Sequence, residues 1–471
     1  MLLVDPALKV PRGGFRVAVV GSGPAGFYAA GQLLASDLAV EVDMIERLPT
    51  PWGLVRFGVA PDHPKIKEVS RIFERIAQQP GFRFFGNVEV GRDIGHDDLL
   101  RLYHAVVYAV GAQTDRRMGI PGEDLPGSWA ATQFVAWYNG HPDFQDLPFD
   151  LSCQRAVVVG AGNVALDVMR MLALTEDKLC PTDATDQAIA AIAGSGIREI
   201  VMLARRGPAQ AAFTTPELKE LGELAGANVV VDPTDLALDS ASEAMFANDV
   251  TAQRKLAVLR AYATRPAAGK PKSLHLRFRV SPVAILGEST VEAVEVVKNE
   301  LVPDERGRIQ AVPKGQHERI PCGLVLRSVG YHGTPLQGVP FDDASGRMPN
   351  REGRVLDGHS APLPGVYCAG WIKRGPSGVI GTNKKDASET VERLLEDARA
   401  GKLGPPGTST AEGIVELLNE RSIEFVTHAG WAAIDAVERA RGAARGRPRI
   451  KICRSDELLA TARHPRANIG E

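Results

Sequence analysis

A chain of 471 residues can form two to three domains with sizeable cores, and its 55 basic and 57 acidic residues nearly cancel, which argues against nucleic acid as the main partner. Five scattered cysteines, at positions 153, 180, 322, 368 and 453, fit neither a disulfide framework nor a zinc or ferredoxin-type iron–sulfur module. No apolar run approaches the ~18 residues of a spanning helix, and no signal-peptide h-region is visible near the start, so no membrane span and a cytoplasmic location are expected.

The first informative element is the apolar run Phe15 to Val20, followed by Gly21-Ser22-Gly23-Pro24-Ala25-Gly26 and a helical pattern to about residue 36. A G-x-G-x-x-G turn between a strand and a helix lets the backbone approach a pyrophosphate, which then sits on the helix N-terminus. Val40 to Ile45 reads as the second strand and ends at Glu46, 25 residues after Gly21. A carboxylate there suits an unphosphorylated ribose, as in FAD or NAD.

The segment 49–64 is rich in Pro and Gly yet apolar, so a loop packed against something other than water is expected. A helix is predicted over Lys65 to Gln79, and strands over 82–90 and 105–110.

A second unit of the same kind starts near residue 155. Ala156 to Val159 leads into Gly160-Ala161-Gly162-Asn163-Val164-Ala165, then a helix to about Leu174 and a helical excursion over 175–197. The strand Arg198 to Ala204 ends not at an acid but at Arg205-Arg206. Two planar, permanently charged guanidiniums suit a 2′-phosphate that a carboxylate would repel, so this turn is expected to take NADP(H). Two such turns suggest an enzyme passing electrons from a nicotinamide to a flavin.

Residues 234–272 read as polar and helix-prone, with a basic cluster at Arg254, Lys255, Arg260, Arg265, Lys270 and Lys272. Strands follow at 274–281, 291–298 and 324–329. The stretch Gly370 to Thr382 is a glycine-rich turn before a helix predicted over Lys384 to Ala398, and it offers N–H groups to a flavin. The remainder, with Phe425 and Trp431, reads as folded.

Several strings in this chain are long enough to carry a family likeness. Pro51-Trp52-Gly53-Leu54-Val55-Arg56, Gly58 to Pro64, Gly162 to Asp167, Arg205-Arg206-Gly207-Pro208 and Gly370 to Pro376 strongly resemble adrenodoxin reductase and its bacterial NADPH–ferredoxin reductase counterparts. The resemblance spans about residues 15–460. It implies an α/β fold of two doubly wound Rossmann-like domains: a discontinuous FAD domain from 1–114 and 330–471, and an inserted NADP domain from 115–329. The implied activity is hydride transfer from NADPH to FAD, then single-electron transfer to a separate ferredoxin, with a cytochrome P450 as one expected downstream consumer.

On that likeness Gly21, Gly23, Ala25, Gly26, Glu46, Leu54, Val90, Trp371, Gly378, Val379 and Ile380 would touch FAD. Ala161, Gly162, Asn163, Val164, Arg205, Arg206, Glu217 and Arg116 would touch NADP. Ala161 stands where relatives often carry Asn or Gln. His63 and Glu217 look like the pair the family places beside flavin and nicotinamide. Each also has a plainer reading: His63 may be replaced in that role by a loop-ordering hydrogen bond, and Glu217 by favourable placement near a helix N-terminus. No metal site is expected. The absence of a redox cysteine pair argues against a disulfide reductase, and the absence of an F-x-G-x-x-x-H string against a flavin monooxygenase. The basic cluster 254–272, with Lys373 and Arg374, is the expected ferredoxin-docking surface.

Overall fold

The computed structural model describes residues 14–378, 380–405 and 410–463, save for the side chains of residues 240, 241 and 245. The chain divides into two units. The first takes the described residues of 1–59, 63–114 and 330–471; the second takes 60–62 and 115–329.

The first unit is built on a seven-stranded sheet. The strand β1 (Phe15–Val20) leads through a turn into the helix α1 (Pro24–Leu34), then into β2 (Val40–Glu46), β3 (Phe82–Gly86) and β4 (Ala105–Tyr108). The order is Asn350–Arg351, Arg354–Leu356, Pro362–Cys368, β4, β1, β2, β3. Every pair from Pro362–Cys368 to β3 is parallel, with Val20 opposite Ile45 and Tyr108. Near-continuous burial of β1, β2 and β4 is what a parallel sheet covered on both faces requires. The helix expected over 65–79 is interrupted: Pro64–Lys67 and Ser70–Ala77 are joined by tight turns in which Val69, Arg71 and Ile72 donate to residues three back. The strand expected over 82–90 stops at Gly86, because Asn87 takes φ +61° and turns the chain.

The second unit holds a six-stranded, wholly parallel sheet in the order Ser128–Ala130, Leu324–Arg327, Arg155–Val159, Glu199–Ala204, Lys272–Phe278, Ala227–Val230. An antiparallel sheet of Val280–Leu286, Ala293–Pro303 and Ile309–Pro321 follows its fifth strand in space. Helices Asn163–Ala173, Asp186–Ala193, Thr215–Glu223 and Val250–Thr264 lie at or close to the stretches expected. Both sheets are doubly wound and Rossmann-like, so crevices form at the carboxyl ends of their parallel strands.

The C-terminal segment folds as three helices, Gly413–Glu420, His428–Ala443 and Ser455–Ala462. Trp431 is 1% exposed and meets Trp52 edge-on, with ring centroids 4.8 Å apart. Among the described residues no helix is long and apolar enough to cross a membrane.

Candidate active site

In the first unit the glycines of the turn have separate jobs. Gly21 sits at φ +101°, and a Cβ there would lie 2.6 Å from the Ala109 carbonyl oxygen. A Cβ on Gly26 would fall 2.0 Å from the Gly21 oxygen, so strand and helix pack only through glycine. Gly23, the N-cap of α1, is different: a Cβ would meet nothing within 4 Å, and no side chain caps the helix. The protein does not need glycine at Gly23; a pyrophosphate approaching the uncapped N–H groups of α1 does.

Glu46 is held ready at the end of β2. Its Oε2 accepts from the Ser22 N–H (3.0 Å) and hydroxyl (2.6 Å), and its Oε1 from the Leu48 N–H (3.0 Å). Ser22 is fully buried, so the carboxylate is tied to the glycine turn itself.

The apolar loop docks on the same turn. The Trp52 N–H donates to the Ser22 carbonyl at 3.1 Å, and a Cβ on Gly53 would be 3.0 Å from the Gly23 Cα. Trp52 itself takes φ +86°, an unusual conformation for a bulky residue. The C-terminal segment holds the loop there. Buried Arg56 forms a two-pronged pair with buried Glu438 (2.8 and 2.5 Å), which also accepts from Arg449 and from the Ile452 N–H. Leu54 is left 38% exposed beside the turn. Val90 is buried, two residues beyond Val88, whose N–H bonds the Glu46 carbonyl at 2.9 Å.

Ala25 meets the third part of the site. A Cβ on Gly370 would lie 2.6 Å from the Ala25 Cβ, and Gly370 caps the short helix Trp371–Arg374. Arg374 reaches Asn383 (2.9 Å) in the first turn of the helix Thr382–Arg399, whose N-terminus also has no side-chain cap. Trp371 is half-buried beside Tyr331 (5.0 Å), Gly378 takes φ +80° and Ile380 packs on the core. Val379 lies outside the described residues.

The second turn repeats the logic. Gly160 sits at φ +132°, with a Cβ position 2.1 Å from the Ser328 carbonyl oxygen, whereas a Cβ on Gly162 would meet nothing within 4 Å. Ala165 replaces the third glycine and is fully buried. The Ala161 carbonyl accepts from the Ala212 and Phe213 N–H groups (2.8 and 3.1 Å), and the Asn163 Oδ1 accepts from the Thr214 N–H (2.8 Å). Val164 packs on the core. Ala161 thus serves this loop through its backbone, which any residue provides.

Arg205 and Arg206 follow the strand Glu199–Ala204 and are both exposed. Among the described residues no carboxylate pairs with either. The loop is held by their backbones instead: Asn299 donates to the Arg205 carbonyl at 2.8 Å and the Arg279 N–H to the Arg206 carbonyl at 3.0 Å. Desolvation by the surrounding protein, and then the Arg205 charge, lower the pKa of Arg206. Two adjacent, unpaired cations at this position are a ready partner for a phosphate dianion. Arg116 is exposed in the same unit, and its neighbour Arg117 pairs with Asp124.

Sequence reasoning missed Arg170. Its guanidinium, 3% exposed, meets Asp62 (2.7 Å), Asp167 (2.7 Å), Glu217 (3.2 Å) and Glu220 (3.3 Å). Asn163, Asp167 and Arg170 share one face of the helix Asn163–Ala173, at the spacing i, i+4, i+7. Glu217 is therefore an anchored carboxylate in the first turn of Thr215–Glu223. The only sequence signal for the hub was Asp167-x-x-Arg170. His63 stands as N-cap of Pro64–Lys67, and its carbonyl accepts from the Ile66 N–H at 3.1 Å.

The residues thus form two dinucleotide turns of opposite ribose preference. Residues 15–206 match the family described as pyridine nucleotide-disulphide oxidoreductase. The NADPH-ferredoxin reductase FprA of Mycobacterium tuberculosis is 49% identical over 454 residues, covering 94% of this chain and 98% of the relative. The mitochondrial NADPH:adrenodoxin oxidoreductase of Arabidopsis thaliana is 40% identical and covers 95% of each chain. The chain belongs to the adrenodoxin reductase-like NADPH–ferredoxin reductases. A solved structure of M. tuberculosis FprA in complex with NADPH superimposes with a TM-score of 0.90 at 48% identity, over 96% of this chain and all of the other.

One expectation about this family member fails on burial. The basic cluster 254–272 is not a continuous surface. Lys255 is 7% exposed and donates to the Ala211 carbonyl. Lys270 donates to the Leu224 carbonyl, and Lys272 to that of Leu172, where burial lowers its pKa to about 8. Lys373 is 7% exposed between Asp386 and Glu389. Only Arg254, Arg260 and Arg265 of the cluster are exposed. Long basic side chains lay their stems on the core and spend their charge on carbonyls, which spacing does not reveal.

Proposed function

We propose that this chain is a cytoplasmic enzyme that oxidises NADPH with FAD and delivers electrons singly to a separate ferredoxin, which in turn serves a cytochrome P450 or another electron-consuming pathway. The observation that carries the reading is the contrast between the two turns: Glu46 bonded to Ser22 in one, and Arg205-Arg206 unpaired in the other. FAD bound at the first turn would supply the conversion between a two-electron hydride and single electrons.

The chain's own residues bind and orient. Gly23 and Gly162 leave room for the two pyrophosphates, and the uncapped helices behind them provide N–H donors. Glu46 accepts from the ribose of FAD, while Arg205 and Arg206 grip the 2′-phosphate of NADP. Leu54, Val90, Trp371, Gly378, Val379 and Ile380 wall the flavin, and the loop 51–57, clamped by Glu438, excludes water. Ala25 and Gly26 keep α1 close to the sheet. Ala161, Asn163 and Val164 shape the second turn, and Arg116 adds positive charge to the NADP unit. Arg170 holds the Glu217 carboxylate still; Glu217 and His63 tune charge beside the reacting rings and are not indispensable, because hydride transfer between two cofactors needs no protein nucleophile.

The test is anaerobic. The purified protein should carry a non-covalent flavin that NADPH bleaches quickly and NADH slowly, and it should then reduce cytochrome c only when a ferredoxin is added. A protein whose flavin NADPH leaves oxidised, or which contains FMN, refutes the reading.

A further inference from the structure

Three parallel helices cover one face of the first unit's sheet, and their starts lie together. Phe27 of α1 stacks on Phe73 at 4.8 Å, and a Cβ on Gly31 would be 2.8 Å from Ile76. Ser70–Ala77 therefore runs beside α1 in the same direction. On the other flank, Ala25 abuts Gly370 and Gln32 donates to Ser388 at 2.5 Å, so Thr382–Arg399 also runs with α1. All three helices begin at the carboxyl edge of the parallel strands, the edge that holds the glycine turn.

This rim is apolar and basic at once. Ile66 and Ile72 are 43% and 39% exposed, with Val69 half-buried between them at a spacing of three in the tight turns of 64–72. Most large aliphatic side chains of this protein are buried, so neighbouring exposed isoleucines need a reason. Residues 65–75 contain four basic side chains, Lys65, Lys67, Arg71 and Arg75, against Glu68 and Glu74, in a chain whose net charge is −2. Glu74 is turned to His428 at 3.2 Å, and Arg71 meets Glu68 only at 3.9 Å, with both side chains largely in solvent. Lys384 and Lys385, in the first turn of Thr382–Arg399, are exposed and oppose the helix dipole, a placement that costs stability. The turn Pro64–Lys67 also packs on Leu54–Phe57, the loop helix seated on the dinucleotide turn.

We propose that Lys65, Ile66, Arg71 and Ile72, with Lys384 and Lys385, form the docking surface for an acidic iron–sulfur electron carrier. An apolar centre ringed by cations matches a partner with exposed carboxylates around its cluster, and the location puts that cluster beside the flavin edge. The proposal rests on the ferredoxin-reductase reading above. It moves the docking surface from 254–272 to the first unit.

The test uses the full-length flavoprotein and an acidic plant-type [2Fe–2S] ferredoxin as probe. Lys65→Glu/Arg71→Glu and Ile66→Asn are compared with Arg254→Glu/Arg260→Glu. Steady-state ferredoxin reduction is followed against ionic strength, and ferricyanide reduction serves as the acceptor that needs no docking. The first two variants should raise the KM for ferredoxin about tenfold and flatten its salt dependence, while ferricyanide reduction stays within about twofold. The 254/260 variant should behave as wild type. Unchanged ferredoxin kinetics in the first two variants overturns the docking surface while leaving the enzyme reading intact. A wild-type protein that reduces ferricyanide but not ferredoxin overturns the acceptor, and the surface with it. A dimer that Ile66→Asn dissociates would assign this face to a second copy of the chain, and overturns the proposal as well.

Discussion

Replacing both Arg205 and Arg206 with alanine should abolish the preference for NADPH over NADH without harming the fold. Neither guanidinium has a carboxylate partner among the described residues, and the loop is fixed through their carbonyls by Asn299 and Arg279. Truncation therefore removes two charges and leaves the loop geometry. A charge-assisted hydrogen bond is worth roughly 1.5–3 kcal/mol. Both side chains are exposed, so the lower figure applies, and two bonds give about 3 kcal/mol. At about 1.4 kcal/mol per decade, kcat/KM for NADPH should fall about 100-fold. NADH, lacking the phosphate, should lose less than about threefold, a bound set by the shared contacts at Gly162 and Asn163. Removing the like-charged neighbour should leave Tm unchanged or slightly raised. The measurement is kcat/KM for both nucleotides with ferricyanide as acceptor, on wild type and double variant. Equal losses for NADH and NADPH would falsify the assignment of these arginines to the 2′-phosphate.

Gly21→Ala and Gly23→Ala should part company. The first forces a side chain to φ +101° against a carbonyl oxygen and should lower Tm; the second meets open space and should keep Tm while weakening flavin retention. Matching Tm losses would remove the ligand argument for Gly23. Glu438→Ala leaves buried Arg56 without its two-pronged partner, so urea denaturation should register a loss of about 3–5 kcal/mol. A loss under about 1 kcal/mol would show that the C-terminal clamp is incidental. Burial raises the Asp115 carboxyl from 3.8 to about 7, although Arg327 opposes the shift. The folded protein thus binds more protons than the unfolded chain between those values, and stability from this group falls as pH rises through that window. Asp115→Asn should therefore stabilise the protein at pH 8, by at most about 4 kcal/mol, and have little effect near pH 3.5. An effect independent of pH would mean that Asp115 is ionised throughout.

Much of the site was legible in the residues because dinucleotide binding depends on local covalent facts. A β-branched run, glycines at fixed offsets and a helix start are contiguous, so the turns at Gly21 and Gly160 and the contrast between Glu46 and Arg205-Arg206 could be read directly. What lay across the chain could not. Ser22 holding Glu46, Arg170 gathering Asp62, Asp167, Glu217 and Glu220, and Glu438 clamping Arg56 at a separation of 382 residues are side-chain pairings that exist only once the sheets are wound. Basic residues show the limit most clearly. Charge is a property of the sequence, but exposure is not: Lys255 and Lys373 are turned inward, while Lys65 and Arg71 remain in water. Sequence determined which cofactor chemistry each turn could accept; tertiary packing decided which charges are left over to meet a partner, because desolvation and carbonyl bonding consume a cation only where the fold brings a carbonyl to it.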